Sequence, residues 1–288
     1  MRLAFAFELL VRYPDLEMSL TDLEAVGSAL DEEHVLEGGH VNRVTRVGDT
    51  VRRSAGPWTP TIHRLLAHAR NKGLSWVPEP RGLDEAGREV LSFIPGDVPH
   101  EMPAWVWSES VLCEVGGALR EWHDATVDFN LGDAIWNLAP PEPKEVVCHN
   151  DFAPYNCVFR NGRFVGAIDF DLCAPGPRIW DLAYTAYRFV PLMPDTNPDP
   201  AIFQGETSPF PRAAAATRLK LFLKAYRSVD DAPGLEIPRV LGVAAERLEA
   251  IATWTEEHVR ANGVRALERH PAMYRAHARW LRSWRDAG

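Results

Sequence analysis

Asp151, Asn156 and Asp169 could together carry out phosphoryl transfer. They stand in the runs Val147-Cys148-His149-Asn150-Asp151-Phe152-Ala153-Pro154-Tyr155-Asn156 and Ile168-Asp169-Phe170-Asp171. An aspartate on a tight loop can face an acceptor hydroxyl and take its proton, and an asparagine at the far end of that loop can turn its carbonyl oxygen to a divalent cation. Between Asn156 and Asp169 lie two short apolar strands, Cys157–Arg160 and 163–168, joined by Asn161-Gly162. That dipeptide is the strongest short signal for a two-residue hairpin, and the hairpin folds Asp169 back beside Asn156. Two such oxygens, with phosphate oxygens and water, complete the octahedral shell that Mg2+ demands. Any one of these residues alone would pass for a turn cap. The ordered set, bridged by the hairpin, favours the catalytic reading.

The order H-x-D-x-x-x-x-N from His149 to Asn156, then I-D-F-D at 168–171, resembles the aminoglycoside phosphotransferase family of small-molecule kinases. The resemblance runs from about Leu36 to the C-terminal helices and is strongest between His149 and Asp181. It implies an α+β, bilobal, protein-kinase-like fold with a small β-rich N-terminal lobe holding one main helix, and a larger, mostly helical C-terminal lobe. It implies ATP or GTP with Mg2+ as cofactors and transfer of the γ-phosphate to a hydroxyl of a small molecule, aminoglycoside-like or another hydroxylated metabolite. Antibiotic resistance falls within that range. Asp151 is then the catalytic base, Asn156 and Asp169 hold the metal, and Asp171 is an outer carboxylate. Gly176-Pro177-Arg178-Ile179-Trp180-Asp181-Leu182-Ala183 resembles the family's G-[DP]-x-x-x-D-[LI]-A, whose Asp accepts hydrogen bonds from the catalytic-loop backbone. His149 and Asp181 are therefore expected to support the site, with Asp181 also a candidate N-cap of the following helix.

The elements that must position these groups can be followed along the chain. Strands are expected at 41–47 and 50–53 around the turn Gly48-Asp49. Gly38-Gly39, just before them, would let backbone N–H groups approach a phosphate, with the Asn42 amide assisting; a bare hairpin turn is the plain alternative. Thr59-Pro60 opens a helix with Ile62, Leu65, Leu66 and Ala69 on one stripe, ending near Gly73. Kinases pair a strand Lys with a helix Glu at these places. Here the strand offers Arg52, or Arg53 one register over, and the helix offers His63. Arg52 is expected to hold phosphates, its guanidinium held by some other carboxylate or carbonyl. A second hairpin at 81–93 ends in Ile94-Pro95-Gly96, and the backbone of Ser92, Phe93 and Ile94 is expected to meet the nucleotide base. The expected division is thus 1–93, a nucleotide-binding lobe with 1–34 as terminal extension, and 94–288, the catalytic and substrate-binding lobe, with a hinge near 92–96. Beyond it, helices are expected at 105–126, 212–229, 238–262 and 263–284, with a loop at 191–211 and the arginines of the last helix on a solvated face. His123 is expected to be structural.

With 288 residues, 46% of them hydrophobic and 25% charged, the chain can bury a sizeable core. A net charge of -9 argues against a nucleic-acid surface and suits a cationic small substrate better. None of the four cysteines, Cys113, Cys148, Cys157 and Cys173, forms a C-x-x-C pair, so apolar packing in a reducing cytoplasm is expected. The apolar start of the chain carries Glu8 and lacks a cleavage site, and no run of about 18 apolar residues suggests a membrane span. The rival reading is a kinase-fold protein that binds nucleotide or ligand without turnover, because the Arg and His replacements weaken the nucleotide half. A protein kinase is disfavoured, since Asp169 is followed by Phe170-Asp171-Leu172 and no long activation segment comes after it. The sequence gives no sign of oligomeric state.

Overall fold

The computed structural model describes residues 33–36, 44–138, 141–195, 207–227, 235–263 and 267–286. It divides into two compact units. The first takes its described residues from Met1–Gly56 and from Glu79–Phe93 and is one antiparallel sheet. Its strands are β1 (His34–Leu36), β2 (Val44–Val47), β3 (Thr50–Arg53), β4 (Pro80–Leu83) and β5 (Glu89–Ser92), in the order β1-β2-β3-β5-β4. Gly48, at φ 60°, supplies the left-handed residue that the β2–β3 turn requires. Asp84 closes the β4–β5 turn by accepting the N–H groups of Ala86 and Arg88 at 3.0 and 2.8 Å.

The second unit comprises Pro57–Pro78 and Ile94–Gly288. Its helices are α1 (Thr59–Asn71), α2 (Glu109–Thr126), α3 (Arg178–Phe189), α4 (Arg212–Tyr226), α5 (Ile237–Asn262) and α6 (His270–Asp286). Two small antiparallel ladders complete it, β6 (Val146–Cys148) with β9 (Ala174–Gly176), and β7 (Cys157–Arg160) with β8 (Arg163–Ala167). The core is built around Trp122, Phe152, Phe159, Phe170, Tyr187 and Phe222, all fully buried.

Helix α1 was expected with the strands of 1–93, yet Pro57–Pro78 belongs to the second unit. Its stripe Ile62, Leu65, Leu66 and Ala69 is wholly buried. Its polar side chains also bond there: Thr61 accepts the N–H of Ile135 at 2.9 Å, and His68 reaches the carbonyl of Ala125 at 2.9 Å. Its N-cap is Trp58 rather than Thr59, so Pro60 falls one position deeper in the first turn, where a missing N–H is still harmless. The helix expected over 105–126 is split. Ala104–Trp107 forms a 3-10 turn, Ser108 is extended, and its hydroxyl caps α2 by accepting the N–H of Val111 at 3.3 Å. The arginines expected on a solvated face of the last helix include two that bind α5, Arg275 to Glu256 and Arg282 to Glu249. Most of the loop expected at 191–211 lies outside the described residues. Among the described residues no helix is long and apolar enough to cross a membrane.

Candidate active site

The loop 149–156 hangs between β6 and β7 and is tied to the core before it begins. From α2, Trp122 donates its indole N–H to the carbonyl of Val147 at 2.8 Å, and the Thr126 hydroxyl accepts the Val147 N–H at 3.2 Å. Asp181 then holds the start of the loop. It lies within the first turn of α3, whose N-cap is Pro177. Its Oδ2 accepts the backbone N–H of His149 at 2.6 Å and its Oδ1 that of Asn150 at 2.9 Å. His123 Nε2 meets the same carboxylate at 3.1 Å, while its Nδ1 meets the Tyr226 hydroxyl at 2.7 Å. Burial pushes the Asp181 carboxyl up, but the hydrogen bonds from His123 and from the backbone N–H of His149 outweigh it, and the group is held below its usual range. These donors let Asn150 adopt φ 66°, which swings Asp151 away from the β6 direction.

His149 is fully buried between Phe152 and Phe170, and burial lowers its pKa. As a neutral ring it donates from Nε2 to the carbonyl of Ile168 at 3.2 Å and accepts the Asp151 N–H on Nδ1 at 3.4 Å. It thus ties the catalytic loop to the residue before Asp169. His123, equally buried, is likewise held below its ordinary value, chiefly by burial.

Both carboxylate oxygens of Asp151 are engaged. Tyr155 donates its hydroxyl to Oδ1 at 2.8 Å, and Asn156 donates its amide to Oδ2 at 2.8 Å and to the Asp151 carbonyl at 3.0 Å. Loss of hydration pushes the carboxyl up to about 6, with Asp169 adding to the rise and Tyr155 and Arg188 opposing it. The β7–β8 hairpin turns at Asn161 and Gly162, with φ 52° and 71°, as its dipeptide requires. The N–H of Ile168 bonds the carbonyl of Asn156 at 2.9 Å. This contact brings the residue after it, Asp169, exposed and at φ 62°, alongside the end of the catalytic loop. With its NH2 turned to Asp151, the Asn156 amide presents Oδ1 as its acceptor end. Among the described residues no group of three or more His, Cys, Asp and Glu side chains is gathered for a metal. Two oxygen donors fit Mg2+ that takes its other ligands from phosphate and water, and they do not fit an all-protein cage.

Four further residues lie on or against this loop that the sequence reading did not single out. The hydroxyls of Tyr184 and Tyr155 lie 2.9 Å apart, and since Tyr155 donates to Asp151, Tyr184 donates to Tyr155. Arg188 of α3 lies 5.1 Å over the Tyr155 ring and 5.6 Å over that of Tyr187. Arg247 of α5 donates to the carbonyl of Asn150 at 2.8 Å and lies over Trp180 and Tyr184. Tyr155 sits inside the motif and was open to notice. The other three lie far along the chain, and no local spacing marks them.

In the first unit, Arg52 donates to the Thr50 hydroxyl at 2.8 Å and pairs with Asp84 at 3.5 Å, a carboxylate from the β4–β5 turn. Arg53 faces the other side of the sheet and forms a buried ion pair with Glu89, its cross-strand neighbour on β5. The N–H groups of Ser92 and Phe93 donate to the carbonyls of Glu79 and Asp49 at 2.9 and 2.7 Å. Ile94 opens the second stretch of the second unit, and His63 lies on α1. Gly38, Gly39 and Asn42 lie outside the described residues.

Residues 115–216 match the model of the phosphotransferase enzyme family, a segment that includes the catalytic loop, the hairpin and α3. The trifolitoxin immunity protein of Rhizobium leguminosarum bv. trifolii is 39% identical over 155 residues, which are 51% of this chain and 58% of that protein. The chain therefore spans little more than half the length of this curated relative. A choline/ethanolamine kinase family protein from Mesorhizobium loti has a TM-score of 0.61 at 16% identity, with 100% of this chain and 98% of that chain covered. Ethanolamine kinase from Plasmodium vivax has a TM-score of 0.63 at 13% identity, with coverage of 97% and 96%. At such identities the likeness is one of fold. The chain has the protein-kinase-like α+β fold, and its resemblance to the phosphotransferase enzyme family rests on residues 115–216.

Proposed function

We propose, from the similarity of residues 115–216 to the phosphotransferase enzyme family, that the protein transfers the γ-phosphoryl group of a nucleoside triphosphate, ATP or GTP, to a hydroxyl of a small molecule. The observation that carries the reading is the geometry of Asp151. Its carboxylate is oriented at both oxygens by side chains of its own loop, next to a hairpin that delivers a second carboxylate. Asp151 would align the acceptor hydroxyl and take its proton as the new P–O bond forms. Tyr155 and Asn156 fix its rotamer, so little reorganisation is needed at that moment. Asn156 and Asp169 would hold Mg2+, which when bound supplies charge neutralisation for the phosphates. Arg52, already steadied by Asp84, is the cation we assign to the nucleotide phosphates. Because Ser92 and Phe93 spend their N–H groups inside the sheet, a base edge would be met there by carbonyls and by the amide of Ile94.

The similarity to an immunity protein favours one biological setting, in which the acceptor is a toxic compound and its phosphorylation is protective. The direct test is ADP release by purified protein with MgATP or MgGTP over a panel of hydroxylated metabolites and antibiotics. Transfer that requires both Mg2+ and Asp151 supports the reading. Nucleotide binding with no turnover for any acceptor, and no slow hydrolysis, would favour the rival, a binding protein of the same fold.

A further inference from the structure

One face of α3 meets the loop 149–156 at three points. Residues 181, 184 and 188, spaced i, i+3 and i+7, lie along one side of a helix. Asp181 fixes the start of the loop through the N–H groups of His149 and Asn150, at 2.6 and 2.9 Å. Tyr184 meets the Tyr155 hydroxyl at 2.9 Å, and Arg188 lies over the Tyr155 ring at 5.1 Å. The loop backbone, the phenol oxygen and the phenol ring are thus all referred to one helix.

The phenol pair has a fixed direction. Ionised Asp151 can only accept, so the Tyr155 proton points at its Oδ1, 2.8 Å away, and the Tyr155 oxygen receives the Tyr184 proton. A proton arriving from Tyr184 repels the Tyr155 proton from that side and polarises the O–H bond toward Asp151. Tyr184 is itself held: it is only 4% exposed, its ring lies 6.0 Å from that of Tyr187, and the Arg247 guanidinium of α5 lies 5.5 Å over it. Tyr155 is half-buried, and a half-buried phenol without such a partner can turn its proton to water. Asn156 would then grip the carboxylate at Oδ2 alone, leaving it free to turn about its Cβ–Cγ bond.

Resting on the phosphotransfer reading above, we propose that Tyr184 is a positioning residue for Asp151: it keeps the Tyr155 hydroxyl on Oδ1, and so keeps the carboxylate in the orientation that receives the acceptor's proton. The face of α3 is the template against which the base is set. In the transfer the acceptor oxygen bonds the γ-phosphorus, the bond from that phosphorus to the β-bridging oxygen breaks, the nucleoside diphosphate leaves, and the hydroxyl proton passes to Asp151. Neither phenol gains or loses a proton. The effect falls on the chemical step and not on nucleotide binding.

The experiment reads kcat and KM separately for MgATP turnover by the full chain, with water as the acceptor and with any member of the acceptor panel that is phosphorylated. Tyr155→Phe should lower kcat about tenfold and Tyr184→Phe about fivefold, each with KM for ATP within about twofold. Because Tyr184 works through Tyr155, adding Tyr184→Phe to Tyr155→Phe should cost less than about twofold more. A phenol pair that only packs would lower the melting temperature and leave kcat in place, which overturns the proposal. Unchanged kcat in Tyr155→Phe overturns it even if Tyr184→Phe does not fold, and so does an effect confined to KM. Losses that multiply in the double variant also overturn it, since Tyr184, close enough to bear on the Asp151 carboxyl, would then reach it without Tyr155. If Asp151→Asn stops turnover while both phenylalanine variants match wild type, this proposal falls and phosphotransfer stands. If wild type turns over no ATP with water or any acceptor, or Asp151→Asn matches it, both fall.

Discussion

Arg52 and Arg53 are adjacent and chemically identical, yet the sheet gives them different work. Arg53 is buried against Glu89, so Arg53→Ala removes the guanidinium facing a buried carboxylate and should cost about 3 to 5 kcal/mol of stability, read as a lowered urea midpoint. Arg52 is part-exposed and paired with Asp84. Arg52→Ala should leave the urea midpoint nearly unchanged and raise KM for ATP at least about tenfold. If instead Arg53→Ala, in folded protein, carries the ATP defect, the phosphate contact belongs to Arg53. Asp151→Asn should lower kcat roughly 100-fold or more and hold ATP affinity within a fewfold, and near-normal turnover would remove Asp151 from the role of base. At this scale the sequence was legible where chemistry is local. Asp151, Asn156 and Tyr155 share one loop, so their spacing announces their geometry. Arg188 acts on Asp151 and Arg247 bonds the Asn150 carbonyl from separate helices, and nothing in the order of residues around them could have named this loop as their neighbour.

Among the elements, the join between catalytic loop and helix α3 is the most exacting. Asp181 answers His149 and Asn150 through backbone N–H groups and His123 through its ring. Asp181→Ala should leave these donors buried without an acceptor and destabilise the fold by about 3 kcal/mol or more, while Asp181→Asn, which keeps one carbonyl oxygen, should lose less. Equal losses in the two variants, measured by urea denaturation, would contradict this. Gly96 presents a backbone demand of another kind. It sits at φ 156° where Asp97 and Phe159 exchange both backbone hydrogen bonds, and a Cβ there would lie 2.5 Å from the Phe159 carbonyl oxygen. Gly96→Ala should therefore cost about 1 to 3 kcal/mol, detectable as a lower melting temperature. Hairpins and helix stripes were readable from the sequence because their signals are periodic or sit in a dipeptide. The 3-10 turn before α2 was not, since Trp105, Val106 and Trp107 look as helical as the residues of α2 itself until Ser108 is seen to cap the next turn.

Over the whole molecule, two buried imidazoles link stability to pH. His123 and His149 are held below the ordinary histidine value, chiefly by burial, so the unfolded chain binds protons that the folded one refuses. Their contribution is present above about pH 6.5 and is lost as pH falls below it, with a slope on the order of 1 kcal/mol per pH unit for each ring. Urea midpoints should drop between pH 7.5 and 5.5, and a flat profile would count against neutral rings in the fold. The chain's route between its units has a further consequence, one for dissection of the protein. The path leaves the sheet at Gly56, returns at Glu79 and leaves again at Phe93. No single cut can therefore yield the second unit entire, and a fragment starting at Ile94 lacks α1 with its fully buried Ile62, Leu65 and Leu66. Such a truncation should express as a loosely packed species that binds a hydrophobic dye and melts without cooperativity. A graft of residues 57–78 onto its N-terminus should restore a sharp transition, making the intervening helix a requirement for independent production of the second unit.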